Sequence, residues 1–82
     1  MPYIKREKRL LFDAALSGCM PRELGDLTYC IYILCVDFLH RTHGKYADLA
    51  SVVGALSCAT QELYRRQVAP YEDCKIMENG DV

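Results

Sequence analysis

The stretch Leu27–Gly44, LTYCIYILCVDFLHRTHG, decides the fold. From Leu27 to Leu39 only Thr28 and Asp37 are polar, so on a helix the apolar side chains stand almost all the way round. The β-branched and aromatic residues would also suit a strand. Length, and an ending of His40, Arg41, His43 and Gly44, favour a helix stopped at the glycine. The run is short of the ~20 apolar residues that cross a bilayer, and Asp37 interrupts it, so a membrane is not an expected partner. A helix apolar on every side has to be covered on more than one of them. Two further helices from an 82-residue chain are too little cover, so a second copy is expected to contribute.

Toward the N-terminus, Leu10, Leu11, Ala14 and Ala15 recur at helical spacing between Arg6 and Leu16, and Gly18 follows as a stop. Pro21, Gly25 and Asp26 mark a turn, with Asp26 placed to cap the apolar helix. Toward the C-terminus a third helix is expected from about Tyr46 to Val68. One stripe of it, Leu49, Val53, Leu56, Thr60 and Leu63, would face the core. A second stripe of small residues, Ala47, Ser51, Gly54 and Cys58, would let another helix approach closely. Pro70 should end or kink this helix. A short helical turn over PYEDCKIMEN, with Pro70 at its first position and Gly80 as its stop, should follow. The expected architecture is all-α: a single domain over residues 1–82, a small three-helix bundle with a short structured C-terminal tail, oligomeric.

A domain this small buries only ~60% of the surface its unfolded chain exposes and needs outside support. Disulfides are a poor candidate, because the cysteines (Cys19, Cys30, Cys35, Cys58, Cys74) are odd in number and MPYIKREKRLLF has no apolar leader core. A reduced, cytoplasmic setting is expected. Metal is equally poor, since CxxC and paired Cys/His spacings are absent. Self-association is left as the leading support. The net charge of -1, and a basic KREKR head without interleaved aromatics, argue against a nucleic-acid polymer as partner.

The polar chemistry gathers in the closing ELYRRQVAPYEDCKIMENGDV. Arg65 and Arg66 offer planar forks suited to phosphate or carboxylate, Tyr64 and Tyr71 offer faces for stacking, and Lys75 and Asn79 could complete a polar shell. If Pro70 redirects the chain, Tyr71, Glu72, Asp73 and Lys75 fold back near the arginines. The same residues support a plainer reading, in which Arg65 and Arg66 pair with Glu72 and Asp73 and fasten the tail. Asp37, His40 and His43 share a helix edge, but the spacing is not that of a metalloprotease and no third remote ligand is evident. Cys30 and Cys35 point about 140° apart on a helix and cannot share a metal. Cys74, beside Lys75, is the one candidate reactive thiol. No phosphate loop, nucleophile elbow or catalytic carboxylate pair is visible, so no enzyme, catalytic residue, metal or cofactor is expected.

MPYIKREKR at the start, GALSCATQELYRRQVAPYEDCKI in the last third and the final ENGDV resemble a family of short uncharacterised proteins encoded by bacteria and their phages. Its members open with MPYI, carry an ELYRRxxAPYEDxK element and close with NGDV. Cys74 stands where members often have a second lysine. The resemblance implies no activity; it implies a setting in which small proteins bind something of the host, a protein or a signalling nucleotide. The expectation is then a non-enzymatic oligomeric protein sequestering a small anionic, nucleotide-like ligand at a subunit interface, through Tyr64, Arg65, Arg66, Tyr71, Lys75 and Asn79. The alternative is a protein-protein interaction module that binds a host protein, with the Arg/Tyr cluster purely structural.

Overall fold

The computed structural model describes residues 2–82; Met1, which opens the MPYI element, lies outside the described residues. The protein is all-α, and no strand occurs among the described residues. In chain order come α1 (Arg6–Ser17), α2 (Leu24–Arg41), α3 (Tyr46–Leu63), a π-helical segment (Tyr64–Val68) and α4 (Ala69–Asn79). Three main helices and a helical tail are therefore present, as the periodicity predicts. The described backbone divides into two compact units, Tyr3–Val52 and Val53–Val82, the latter grouped with Pro2.

In the first unit α1 begins after Lys5 and ends at Gly18, after which the Cys19 N–H donates to the Leu16 carbonyl at 2.9 Å. The start of α2 differs from the sequence reading. Asp26 is not the N-cap; the helix starts earlier, at Leu24, with Glu23 as N-cap. Asp26 lies three residues further in, where its carboxylate accepts from the backbone N–H groups of Arg22 and Glu23 at 3.4 and 3.3 Å. Glu23 in turn accepts from the Asp26 backbone, completing a capping box that satisfies donors a helix start leaves open. The pairing of acids three apart was legible; which of them sits outside the helix was not. At the other end, His43 (φ 75°) and Gly44 (φ 61°) take left-handed conformations in succession, which breaks the helical run before α3.

Two further differences concern burial. No described residue of the chain is buried. The stripe expected to face a core, Leu49, Val53, Leu56 and Leu63, is exposed. A Cβ added at Gly54 would meet nothing within 4 Å, so among the described residues the close approach expected there is not made. Periodicity reports which face of a helix is apolar, not what covers it. Finally, the Sγ atoms of Cys19 and Cys30 lie 3.6 Å apart, a proximity that sequence spacing did not show. The hydrogen bond to Cys19, then burial, push the Cys30 thiol above its ordinary range. Among the described residues no helix is long and apolar enough to cross a membrane.

Candidate functional site

The second unit is built around Pro70. A proline inside an α-helix has no N–H to donate, and its ring collides with the carbonyl four residues back, in this chain that of Arg66. The chain neither stops nor turns away. Leu63, Val68 and Ala69 all keep right-handed helical dihedrals, and the Ala69 N–H bonds the carbonyl of Tyr64, five residues back. One widened turn thus takes up the proline, and α4 continues with Pro70 in its first turn, where a missing donor is harmless. The fold-back of Tyr71–Lys75 toward the arginines, one expectation from the sequence, is replaced by a continuation of the helix.

The widened turn has a direct consequence for the side chains. Residues eight apart on an α-helix are offset by ~80° around the axis, and a turn that holds an extra residue removes much of that offset. Tyr64 consequently stands above Glu72, and its hydroxyl donates to the Glu72 carboxylate at 2.5 Å. That bond raises the Tyr64 phenol above its ordinary range, because ionisation would lose the donor and set two negative charges together.

Arg65 pairs with Glu62. Its Nε donates to both carboxylate oxygens of Glu62, at 3.1 and 3.3 Å, and its guanidinium makes a further short contact with the same carboxylate. The i,i+3 spacing of Glu62 and Arg65 was readable in the sequence and outranks the longer-range pairing. Arg66 occupies the next position of the same π segment. On α4, Lys75 donates to Glu78 at 3.1 Å and stands 5.5 Å from the centre of the Tyr71 ring. Both contacts are one helical turn long, so Tyr71, Lys75 and Glu78 form a ridge along α4.

Beside that ridge is an open recess of about 260 Å³ lined by Glu72, Lys75, Ile76, Asn79, Gly80 and Val82. The φ of 86° at Gly80 ends α4 and brings the last residues alongside it; the Gly80 N–H bonds the Ile76 carbonyl at 2.7 Å. Of the six residues singled out from the sequence, Lys75 and Asn79 line the recess. Tyr71 touches it through Lys75, and Tyr64 through Glu72. Arg65 is engaged with Glu62. Glu62, Glu72 and the terminal Gly80 and Val82 are participants that the sequence reading left out of the site. In the first unit, Asp37 of the His-containing edge is paired with Arg41 at 2.9 Å. Among the described residues no three His, Cys, Asp or Glu side chains converge as a metal site.

A family model described as a domain of unknown function, DUF6899, matches residues 1–82. The chain belongs to this family. The match runs through both units. No curated protein matches the chain, and no solved structure does. The family's description assigns no activity, and the chemistry of the C-terminal ridge has to speak for itself.

Proposed function

We propose that this member of DUF6899 is a non-enzymatic binding protein that works as an oligomer and holds a small anionic, nucleotide-like ligand, with the C-terminal ridge as its contribution to the site. The observation that carries this is the Tyr71–Lys75 pair beside the recess shared by Lys75 and Asn79. An ammonium aligned with an aromatic face, next to an amide, offers a phosphate a charge and a base a surface to stack on. The recess is open and slightly smaller than the ~300–1,000 Å³ of usual ligand pockets, which suits a site completed by a neighbouring subunit. Arg65 and Arg66, exchanging their present partners for the ligand, supply further positive charge. Tyr64 engages the Glu72 carboxylate, which lines the same recess, in a hydrogen bond.

Isothermal titration of the full chain with inorganic pyrophosphate and with a nucleoside diphosphate tests this reading. Binding should be lost about tenfold or more in Lys75→Ala and in Arg66→Ala, the equivalent of a charge-assisted contact of ~1.5–3 kcal/mol, with helical circular dichroism unchanged. No binding by the wild-type chain, or variants that lose their helical signal, would leave the ridge as a structural clasp.

One observation favours a second reading, in which α2 docks on a host protein: its large apolar side chains are exposed. A chain that is monomeric and binds a hydrophobic dye strongly would support it.

A further inference from the structure

Two cysteines from different parts of the first unit meet. Cys19 directly follows the Gly18 that ends α1, and Cys30 lies in the second turn of α2. They are 11 residues apart in the chain, yet their Sγ atoms stand 3.6 Å apart. Both are free thiols, Cys19 exposed and Cys30 half-buried. We infer that Cys19 and Cys30 are a reversible disulfide site, a redox-controlled staple between the end of α1 and the second turn of α2.

Three considerations support this pairing. The first is that the backbone is held on both sides of it. The Cys19 N–H donates to the Leu16 carbonyl at 2.9 Å, and the start of α2 is fixed by the Asp26 carboxylate, which accepts from the Arg22 and Glu23 N–H groups. The sulfurs are thus brought together by hydrogen bonds that form without them, and rotation about the two Cα–Cβ bonds narrows the gap toward the ~2.05 Å of a sulfur–sulfur bond. The second is access. A small-molecule disulfide such as oxidised glutathione reaches the exposed Cys19 first. The Cys19 thiolate attacks one sulfur of that disulfide and expels one glutathione thiolate. The Cys30 thiolate then attacks the Cys19 sulfur of the mixed disulfide and expels the second. The two protein thiols give up two electrons and two protons, and two molecules of reduced glutathione carry them away. The third is selection among the five cysteines. Cys35 shares α2 with Cys30 but stands about 140° round the axis from it, so the contact with Cys19 singles out Cys30. An odd total counts against a framework of disulfides and not against one pair.

The inference makes no use of the ligand or of the oligomer, and its test reads thiols alone. The full chain is incubated under native conditions with a mixture of oxidised and reduced glutathione, quenched with acid and weighed by mass spectrometry, beside Cys30→Ser and Cys35→Ser. The wild type and Cys35→Ser should lose two hydrogens, and trypsin should then release the peptide of residues 10–22 joined to that of residues 23–41. Excess reduced glutathione should restore the thiols. Cys30→Ser lacks the thiol for the second displacement, so it should accumulate the mixed glutathione disulfide at Cys19 about tenfold or more above the wild type. In urea that unfolds the chain, fragmentation of the joined peptides should show Cys19 bonded to Cys35 as often as to Cys30. A wild type that keeps its thiols or stops at glutathione adducts would overturn the inference. So would a disulfide at Cys19 that forms as readily in Cys30→Ser, or a pairing that urea leaves unchanged.

Discussion

The two ends of this chain solve the same problem differently. In the C-terminal unit polar and charged groups find partners within a turn or two of the same helix: Glu62 with Arg65, Tyr64 with Glu72, Lys75 with Glu78. In α2 the demanding groups are apolar, and no neighbour within a turn can remove Leu24, Leu27, Ile31, Leu34 and Phe38 from water, because side chains on one helix face lie side by side rather than over one another. Polar needs can be met along a single helix. Apolar needs call for a second layer. A chain of this length can therefore satisfy its polar groups along α3 and α4 and still leave the apolar side chains of α2 exposed. Ile31→Glu, which sets a charge on the apolar surface of α2, is the largest break of this contrast: if a second copy covers that surface, native mass spectrometry of the variant should show the monomer where the wild type shows two or more copies.

The next largest effect falls on the polar end. Pro70→Ala removes both the missing donor and the ring that clashes with the Arg66 carbonyl, the two features that force the π turn. The segment Tyr64–Val68 should revert to α-helix, with a gain of up to ~3 kcal/mol, the difference between proline and alanine in a helix interior. The gain is reduced to the extent that the π turn already absorbs the clash. The register shift would swing Glu72 out from under Tyr64 and end their hydrogen bond. Thermal unfolding checks the stability, and amide exchange across residues 64–69 checks the register. Unchanged exchange in this segment would mean that something other than the proline sets the π turn.

Gly54→Ala is a smaller test, and its sign is informative. In this chain an added Cβ meets nothing within 4 Å, and the glycine sits in the interior of α3. On those grounds alone alanine should stabilise by ~1 kcal/mol. If a second copy lies close against the face of Ala47, Ser51, Gly54 and Cys58, the same methyl group would collide and the variant would lose stability. Urea unfolding at two protein concentrations separates the outcomes, because a penalty from the assembled state grows with concentration.

Much of the architecture was legible. The extents of α1 and α4, the start of α3 and the end of helix at His43–Gly44 follow from glycine, proline and the spacing of apolar residues. The expectation of an uncharacterised family agrees with the match to DUF6899 over residues 1–82. What was missed has a common physical origin. Helical continuity through Pro70 depends on whether the chain can widen one turn, an energetic choice of a few kcal/mol that the letters around the proline do not reveal. The cap at Glu23 rather than Asp26 turns on which of two acids leaves the helix, and both satisfy the preference for an acid at a helix start. The candidate site was legible in its residues and not in its pairing. Lys75 and Asn79 converge, whereas Arg65 is held by Glu62 because a partner one turn away constrains fewer dihedrals than one across a bend.

The smallest effect, and the sharpest probe of the polar end, is the titration of Tyr64. Its phenol is raised first by the hydrogen bond to Glu72 and next by that carboxylate's charge. In the unfolded chain the bond is absent and the phenol has its ordinary value of about 10. The folded state therefore holds the proton more tightly. The stabilisation is fully present below the ordinary value, and it is lost as pH rises from there through the raised one. Replacing Glu72 by Gln keeps an acceptor and removes the charge, so the Tyr64 midpoint should fall toward the ordinary value without returning to it. Glu72→Ala removes both, and the midpoint should fall further. Pro70→Ala, if it breaks the stacking of Tyr64 over Glu72, should lower the midpoint as far as Glu72→Ala while leaving both side chains in place. Ultraviolet difference titration of each variant against its Tyr64→Phe counterpart isolates this one tyrosine among the six. Agreement between the Pro70 and Glu72 variants would show that the π turn exists to the benefit of this pair. A normal midpoint in Glu72→Ala but a raised one in Pro70→Ala would show that the hydroxyl reaches its carboxylate by side-chain rotation, with the widened turn serving the proline alone.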